Sequence, residues 1–93
     1  MTVQEVKKQI LPILKRQKVI KAAIFGSVAR NEAKKRSDLD LLVKLPKDAS
    51  LLDLVGLKLD LEEKLSKQVD LVEYGALHPL LKERVLREQI SIL

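Results

Sequence analysis

Cysteine is absent from the 93 residues, and histidine occurs once, at His78. The first absence excludes disulfide staples, thiolate catalysis and cysteine-ligated zinc, and the second removes any cluster of imidazole ligands. A metal used by this chain must therefore sit on oxygen ligands, which favour hard cations such as magnesium or manganese. Aromatics are nearly missing too, with only Phe25 and Tyr74. So sparse a stacking platform argues against nucleic acid as the direct substrate. No apolar run approaches the ~20 residues needed to span a bilayer. The opening "MTVQEVKKQI" carries charges through its first turns, unlike a secretory signal. A soluble, cytoplasmic protein with no membrane partner is expected.

What is present points to one folded unit. The chain is 46% hydrophobic and 33% charged, a balance that folds rather than staying disordered. Its length predicts a single domain over 1–93, with one core and no second lobe. Eighteen basic against 13 acidic residues give +5 and a pI near 9.6, which suits anionic partners such as nucleotides.

Local patterns predict alternating helices and strands. Thr2 and Glu5 form a capping box for a helix over about 3–17, with Val3, Val6, Ile10, Ile13 and Leu14 as its apolar stripe and a bend at Pro12. "VIKAAIF" (19–25) reads as a strand ended by Gly26, and "SVARNEA" as a helix start capped by Ser27, followed by the basic loop Lys34, Lys35 and Arg36. In "DLDLLVKL" (38–45) Leu39, Leu41, Val43 and Leu45 face one way, while Asp38, Asp40, Leu42 and Lys44 face the other. Ser50 caps a leucine-rich helix, "VDLVEY" (69–74) is a further strand, and His78-Pro79 opens a last helix before a short edge strand in "ISIL". The fold class is α/β, a small mixed sheet flanked by helices.

The strand–helix–strand unit from 38 to 74 predicts parallel, right-handedly joined strands. If they are neighbours, Asp70 comes within reach of Asp38 and Asp40. A strand 19–25 running antiparallel to 38–45 would bring Gly26 and Ser27 to the same edge. Three carboxylates gathered there repel one another and raise each other's pKa. Divalent cations resolve the conflict, since residues i and i+2 of a strand project to one face roughly 6.5–7 Å apart, a spacing that brackets two metals ~3.5–4 Å apart. Gly26 lets the backbone approach a bulky anion, and the following helix start offers free N–H groups to phosphate. Arg30, three residues after Ser27, points towards that helix start. The pattern predicts a metal-bound polyphosphate between loop and strand.

Gly26-Ser27, ten intervening residues, then Asp38-Leu39-Asp40 resembles the signature of the DNA polymerase β-type nucleotidyltransferase superfamily, without departure from its motif. Within it, "GSVARNEAKKRSDLDLLV", "LLDLVGLKLDLEEKL", "VDLVEYGALHP" and "LKERVLRE" are similar to the minimal nucleotidyltransferases, short prokaryotic proteins paired with a HEPN-domain toxin. The resemblance covers the chain from about Ile20 onward. It implies Mg2+ (or Mn2+) on Asp38 and Asp40 in a two-metal site, with Asp70 as the third carboxylate. Gly26 and Ser27 would contact the triphosphate, helped by Arg30 and Ser37. The implied reaction moves AMP from ATP to a hydroxyl, a tyrosine of the HEPN ribonuclease in the antitoxin branch. Two alternatives stand beside it: an antitoxin acting by contact alone, which predicts eroded carboxylates, and a transferase for a small molecule or RNA end, which calls for an additional acceptor-gripping domain.

The helix over 51–65 carries Leu51, Leu52, Leu54, Val55, Leu57, Leu59, Leu61 and Leu65, more apolar residues than one sheet-facing stripe needs. An exposed apolar patch is expected, serving a homodimer or the partner complex.

Overall fold

The computed structural model describes residues 1–34 and 37–93; the expected basic-loop residues Lys35 and Arg36 lie outside the described residues. The elements in chain order are α1 (Val3–Arg16), β1 (Lys21–Phe25), α2 (Gly26–Ala29), β2 (Leu39–Lys44), α3 (Leu51–Leu65), β3 (Val69–Glu73), a single 3-10 turn (Tyr74–Ala76), α4 (Pro79–Glu88) and β4 (Ile90–Ser91). The strands form one mixed sheet in the order β3-β2-β1-β4. β1 runs antiparallel to both β2 and β4, while β2 and β3 are parallel, as the strand–helix–strand reading requires.

α1 and α3 cover one face of this sheet, with Val28 of the one-turn α2 in the same core, and α4 covers the other. α1 starts where Thr2 Oγ1 accepts the Glu5 N–H at 3.2 Å and continues through Pro12. It buries Val6, Ile10, Ile13 and Leu14. These pack with Leu57 and Leu61 of α3 against Ala22, Ile24, Leu39, Leu41 and Val43 of the sheet. On the opposite face Val85 of α4 lies over Ala23 and Leu42, with Phe25, Val72, Tyr74 and Leu77 around them. The face of β2 that begins with the aspartates is therefore apolar at its centre, because α4 shields Leu42 there.

Helix termini follow the local chemistry. Ser50 and Asp53 make a reciprocal capping box: the Ser50 N–H donates to Asp53 Oδ2 at 2.8 Å, and the Asp53 N–H to Ser50 Oγ at 3.3 Å. α3 ends where Ser66 takes a left-handed conformation with φ 52°. His78 Nδ1 accepts the Leu80 N–H at 3.1 Å, and Pro79 is the first residue of α4.

Several boundaries differ from the sequence reading: β2 is Leu39–Lys44 rather than 38–45, which leaves Asp38 just ahead of the strand, α1 ends at Arg16 and β3 at Glu73. β1 starts at Lys21 rather than residue 19, because the Val19 N–H is turned back to Leu14 O at 2.9 Å. α2 starts at Gly26 with Phe25 in the capping position, so Ser27 is not the N-cap. The helix lasts one turn, after which Asn31 is left-handed and the Glu32 N–H closes on Ser27 O at 2.8 Å.

The leucine surplus of α3 is visible directly. Leu57 and Leu61 are buried, whereas Leu51, Leu52, Val55 and Leu59 are 74%, 80%, 44% and 58% exposed.

Candidate active site

The parallel register pairs Asp40 of β2 with Asp70 of β3, and the antiparallel register pairs Asp40 with Phe25, the residue before Gly26. Asp38, Asp40 and Asp70 thus meet near one edge of the sheet, beside the start of α2. Asp40 is half-buried, whereas Asp38 and Asp70 are exposed. Burial pushes the Asp40 carboxyl above its ordinary pKa, and the negative charges of Asp70 and then Asp38 push it further. The Arg30 guanidinium opposes the rise, and a hydrogen-bonding contact with Asp70 favours the protonated form.

On the β1 side the approach to Asp40 is tight. Gly26 has φ +73°, a conformation that L side chains rarely adopt. A Cβ at this position would overlap Asp40 Oδ2 and stand 3.0 Å from its Cγ. Backbone and carboxylate are in direct contact only because residue 26 has no side chain. Ser27 follows in the first turn of α2. Arg30, just after that turn, donates from Nε to Glu32 at 3.0 Å and from Nη1 to Glu88 of α4 at 3.2 Å.

On the β3 side the site is open. A cleft of about 740 Å³ is lined by Asp38, Asp40 and Asp70 together with Lys58, Glu62, Ser66, Lys67 and Gln68. Its rim is pinned to the chain around Asp38 by one side-chain and one backbone hydrogen bond. The Lys67 ammonium donates to the Ser37 carbonyl, and the Leu39 N–H donates to Gln68 O at 3.0 Å, so the peptide units on both sides of Asp38 are held by the turn leading into β3. Glu62 Oε2 accepts the Val69 N–H at 2.9 Å. Ser37 itself turns its Oγ to the Lys34 N–H at 2.8 Å, closing the loop ahead of the first aspartate.

The donor set suits a hard divalent cation: three carboxylates, with the pKa of Asp40 raised by burial first and then by the charges of the other two. Among the described residues no three such groups are gathered tightly enough to ligate one ion as they stand.

Residues 8–93 match the family model described as polymerase beta, nucleotidyltransferase. The chain belongs to that family. It is a nucleotidyltransferase. Over its whole length it is 52% identical to a candidate protein adenylyltransferase of Methanocaldococcus jannaschii, covering 100% of both chains. A solved structure of a candidate minimal nucleotidyltransferase superimposes with a TM-score of 0.82 at 43% identity, over 95% of this chain and 90% of that one. The MNT antitoxin structure from Shewanella oneidensis, solved with a tri-AMPylated HEPN toxin, shares the fold with a TM-score of 0.74 at 21% identity, over 97% of this chain and 71% of that one.

For the nucleotidyltransferase, sequence reasoning anticipated the shared edge of Asp38, Asp40, Asp70, Gly26 and Ser27. Arg30 lies close enough to Asp40 to act on its charge, but it is tied to two glutamates. Ser37 is engaged in the loop before β2. Sequence reasoning missed Lys58, Glu62, Lys67 and Gln68. The signal available was weak: Lys58 and Glu62 share one face of α3 at i, i+4, and Lys67-Gln68 sits immediately before the strand that carries Asp70.

Proposed function

We propose that this nucleotidyltransferase is an antitoxin that moves AMP from ATP onto a hydroxyl, a tyrosine's, of a partner HEPN ribonuclease toxin and thereby silences it. The observation that carries the reading is the position of Asp40, registered against Asp70 on its open side and against the Gly26 backbone on its closed side. A phosphoryl-type transfer needs its attacking and leaving oxygens roughly in line. A triphosphate seated on the Gly26-Ser27 side therefore receives its nucleophile from the Asp70 side, where the cleft is open. Resemblance to candidate protein adenylyltransferases, and the AMPylated HEPN toxin bound by the Shewanella antitoxin, support a protein acceptor.

In this reading Gly26 and the N–H groups opening α2 bind phosphate oxygens, and Ser27 adds its hydroxyl. Asp38, Asp40 and Asp70 would hold Mg2+ (Mn2+ is the other candidate), which supplies charge neutralisation and Lewis-acid polarisation at the triphosphate and the acceptor. Asp70 accepts the proton of the incoming hydroxyl. The acceptor oxygen forms a bond to the α-phosphorus, the bridge from that phosphorus to the β-phosphate breaks, and pyrophosphate leaves with the bonding pair. Arg30 offsets the negative charge developing there, once it yields part of its pairing with Glu32 and Glu88. A tyrosine suits this chemistry because its unperturbed pKa of ~10 lies far nearer neutrality than that of an aliphatic hydroxyl. ATP as donor assigns the reaction to the cytoplasm, and no helix among the described residues is long and apolar enough to cross a membrane.

The test is to incubate the protein with ATP, Mg2+ and its cognate HEPN protein and read intact masses. The expected result is addition of AMP to the partner. An unmodified partner whose ribonuclease activity is nevertheless blocked would replace this reading with inhibition by contact.

A further inference from the structure

We infer that the outward face of α3 is the docking surface of the acceptor protein, leading its hydroxyl-bearing residue into the cleft beside Asp70. This rests on the protein-acceptor reading above and adds the surface by which the acceptor is recognised. Two observations meet on one helix. In the first turns of α3, Leu51, Val55 and Leu59 recur at i, i+4 and i+8 and stand 74%, 44% and 58% exposed, with Leu52 beside them at 80%. From its middle to its last turn the same side carries Lys58 and Glu62, which line the cleft with the aspartates, and Ser66 follows at the helix end. Lys58 follows Leu51 by seven residues and Glu62 follows Val55 by seven, so both pairs lie nearly in line along the helix. At 1.5 Å rise per residue the apolar stripe begins roughly 10 Å along the axis before Lys58 and ends, at Leu59, within about 5 Å of Lys58 and Glu62 on the cleft wall.

The chemistry selects the occupant. The side of Asp40 facing β1 is closed by the Gly26 backbone, so an acceptor enters from the Asp70 side, next to α3. A protein presenting a hydroxyl there necessarily lies over or alongside the stripe. A second copy of this chain seated on the same leucines would stand at the mouth of the cleft and obstruct the acceptor. The occupant compatible with turnover is the acceptor itself, through an apolar surface, helical or flat, that continues up to its reactive hydroxyl. Exposed apolar patches of this kind mark protein contacts, and anchors buried at an interface centre carry most of its affinity.

The experiment compares the wild-type chain, the double variant Val55→Asp/Leu59→Asp, and Leu80→Asp as a control on an exposed leucine of α4 (85% exposed). Circular dichroism and melting temperature establish that each is folded. Calorimetry measures affinity for the cognate HEPN protein and, separately, for ATP with Mg2+. The double variant should weaken partner binding by about 30-fold or more, raise KM for the acceptor correspondingly, and leave ATP affinity within about 2-fold. Leu80→Asp should match wild type. Unchanged partner affinity in the double variant overturns the inference, as does a wild-type chain that does not bind the HEPN protein at all. So does a wild-type homodimer in analytical ultracentrifugation that the double variant abolishes while partner affinity persists. A partner that binds through the stripe but gains no AMP refutes the transfer reaction and leaves the docking surface standing.

Discussion

The two flanks of Asp40 are built on different terms. Towards β1 the neighbour is backbone, pressed so close that residue 26 cannot carry a Cβ. Towards β3 the neighbours are long side chains, Lys58, Glu62, Lys67 and Gln68, around a cleft of about 740 Å³. A backbone wall has little freedom to vary and suits a ligand that never changes, such as a triphosphate. A wall of side chains can change in residue type while the backbone keeps its course, which suits recognition of an acceptor. The contrast predicts that damage to the Gly26 backbone or to the aspartates destroys chemistry, while damage to the side-chain wall beyond Asp70 has smaller effects on rate and on which partner is modified.

The largest effect is expected between the flanks. Asp40→Asn should reduce AMP transfer to background in a mass-based assay while the fold, judged by circular dichroism, persists. Measurable transfer near the wild-type rate would remove Asp40 from the reaction. Next comes Asp70→Asn, which should lower kcat by about 10²–10⁴-fold, the usual worth of a positioned general base. Its activity should recover partly at high pH, where the acceptor hydroxyl ionises unaided. On the closed flank, Gly26→Ala meets both the overlap with Asp40 and the positive φ, and should cost about 1–3 kcal/mol of stability together with most nucleotide affinity. Calorimetry with ATP and Mg2+ and a denaturant melt read the two losses; unchanged values in both would make residue 26 an ordinary turn.

On the open flank the effects are smaller. Lys67→Met should lower kcat by about 10-fold at unchanged ATP affinity, because the ammonium fixes the Ser37 carbonyl and hence the approach to Asp38. Lys67→Arg should restore part of the loss; equal defects in both variants would count against positioning through that hydrogen bond. The smallest effect is on stability without metal. Asp40 has its pKa raised by burial and by Asp70 and Asp38, so the folded state holds this proton more tightly than the unfolded chain does. Its contribution is therefore most favourable below the ordinary carboxylate pKa and is lost as pH rises through the elevated folded value. In EDTA, Asp40→Asn should melt at or slightly above the wild type at neutral pH, with the gap closing as the solution is acidified. A gap that widens on acidification would reverse the sign.

Much of this site was readable before any coordinates. The alternation of Leu39, Leu41 and Val43 set the facing of β2, and the helix between two strands set the parallel pair that aligns Asp40 with Asp70. Caps at Thr2, Ser50 and His78 were legible because each depends on neighbours three residues away or fewer. What escaped was non-local or depended on backbone conformation. Arg30 meets Glu88 across 58 positions of sequence, and no periodicity announces such a pair. Lys67 reaches Ser37 across 30. Ser27 looked like a cap by residue type, yet the positive φ of Gly26 begins the turn one residue earlier. The buried centre of the outer face of β2, at Leu42, became intelligible only once α4 was seen to fold back over it.

The contact between Gly26 and Asp40 also bears on how the chain can vary. Were position 26 opened to all twenty amino acids and cells selected for a neutralised toxin, glycine alone should return, since even the smallest replacement meets the same oxygen. At Leu52, four-fifths exposed, the same selection should return many answers, weighted by whichever partner the cells carry. One neighbourhood of this small molecule is closed to drift, and another a helix-length away is where new pairings can arise.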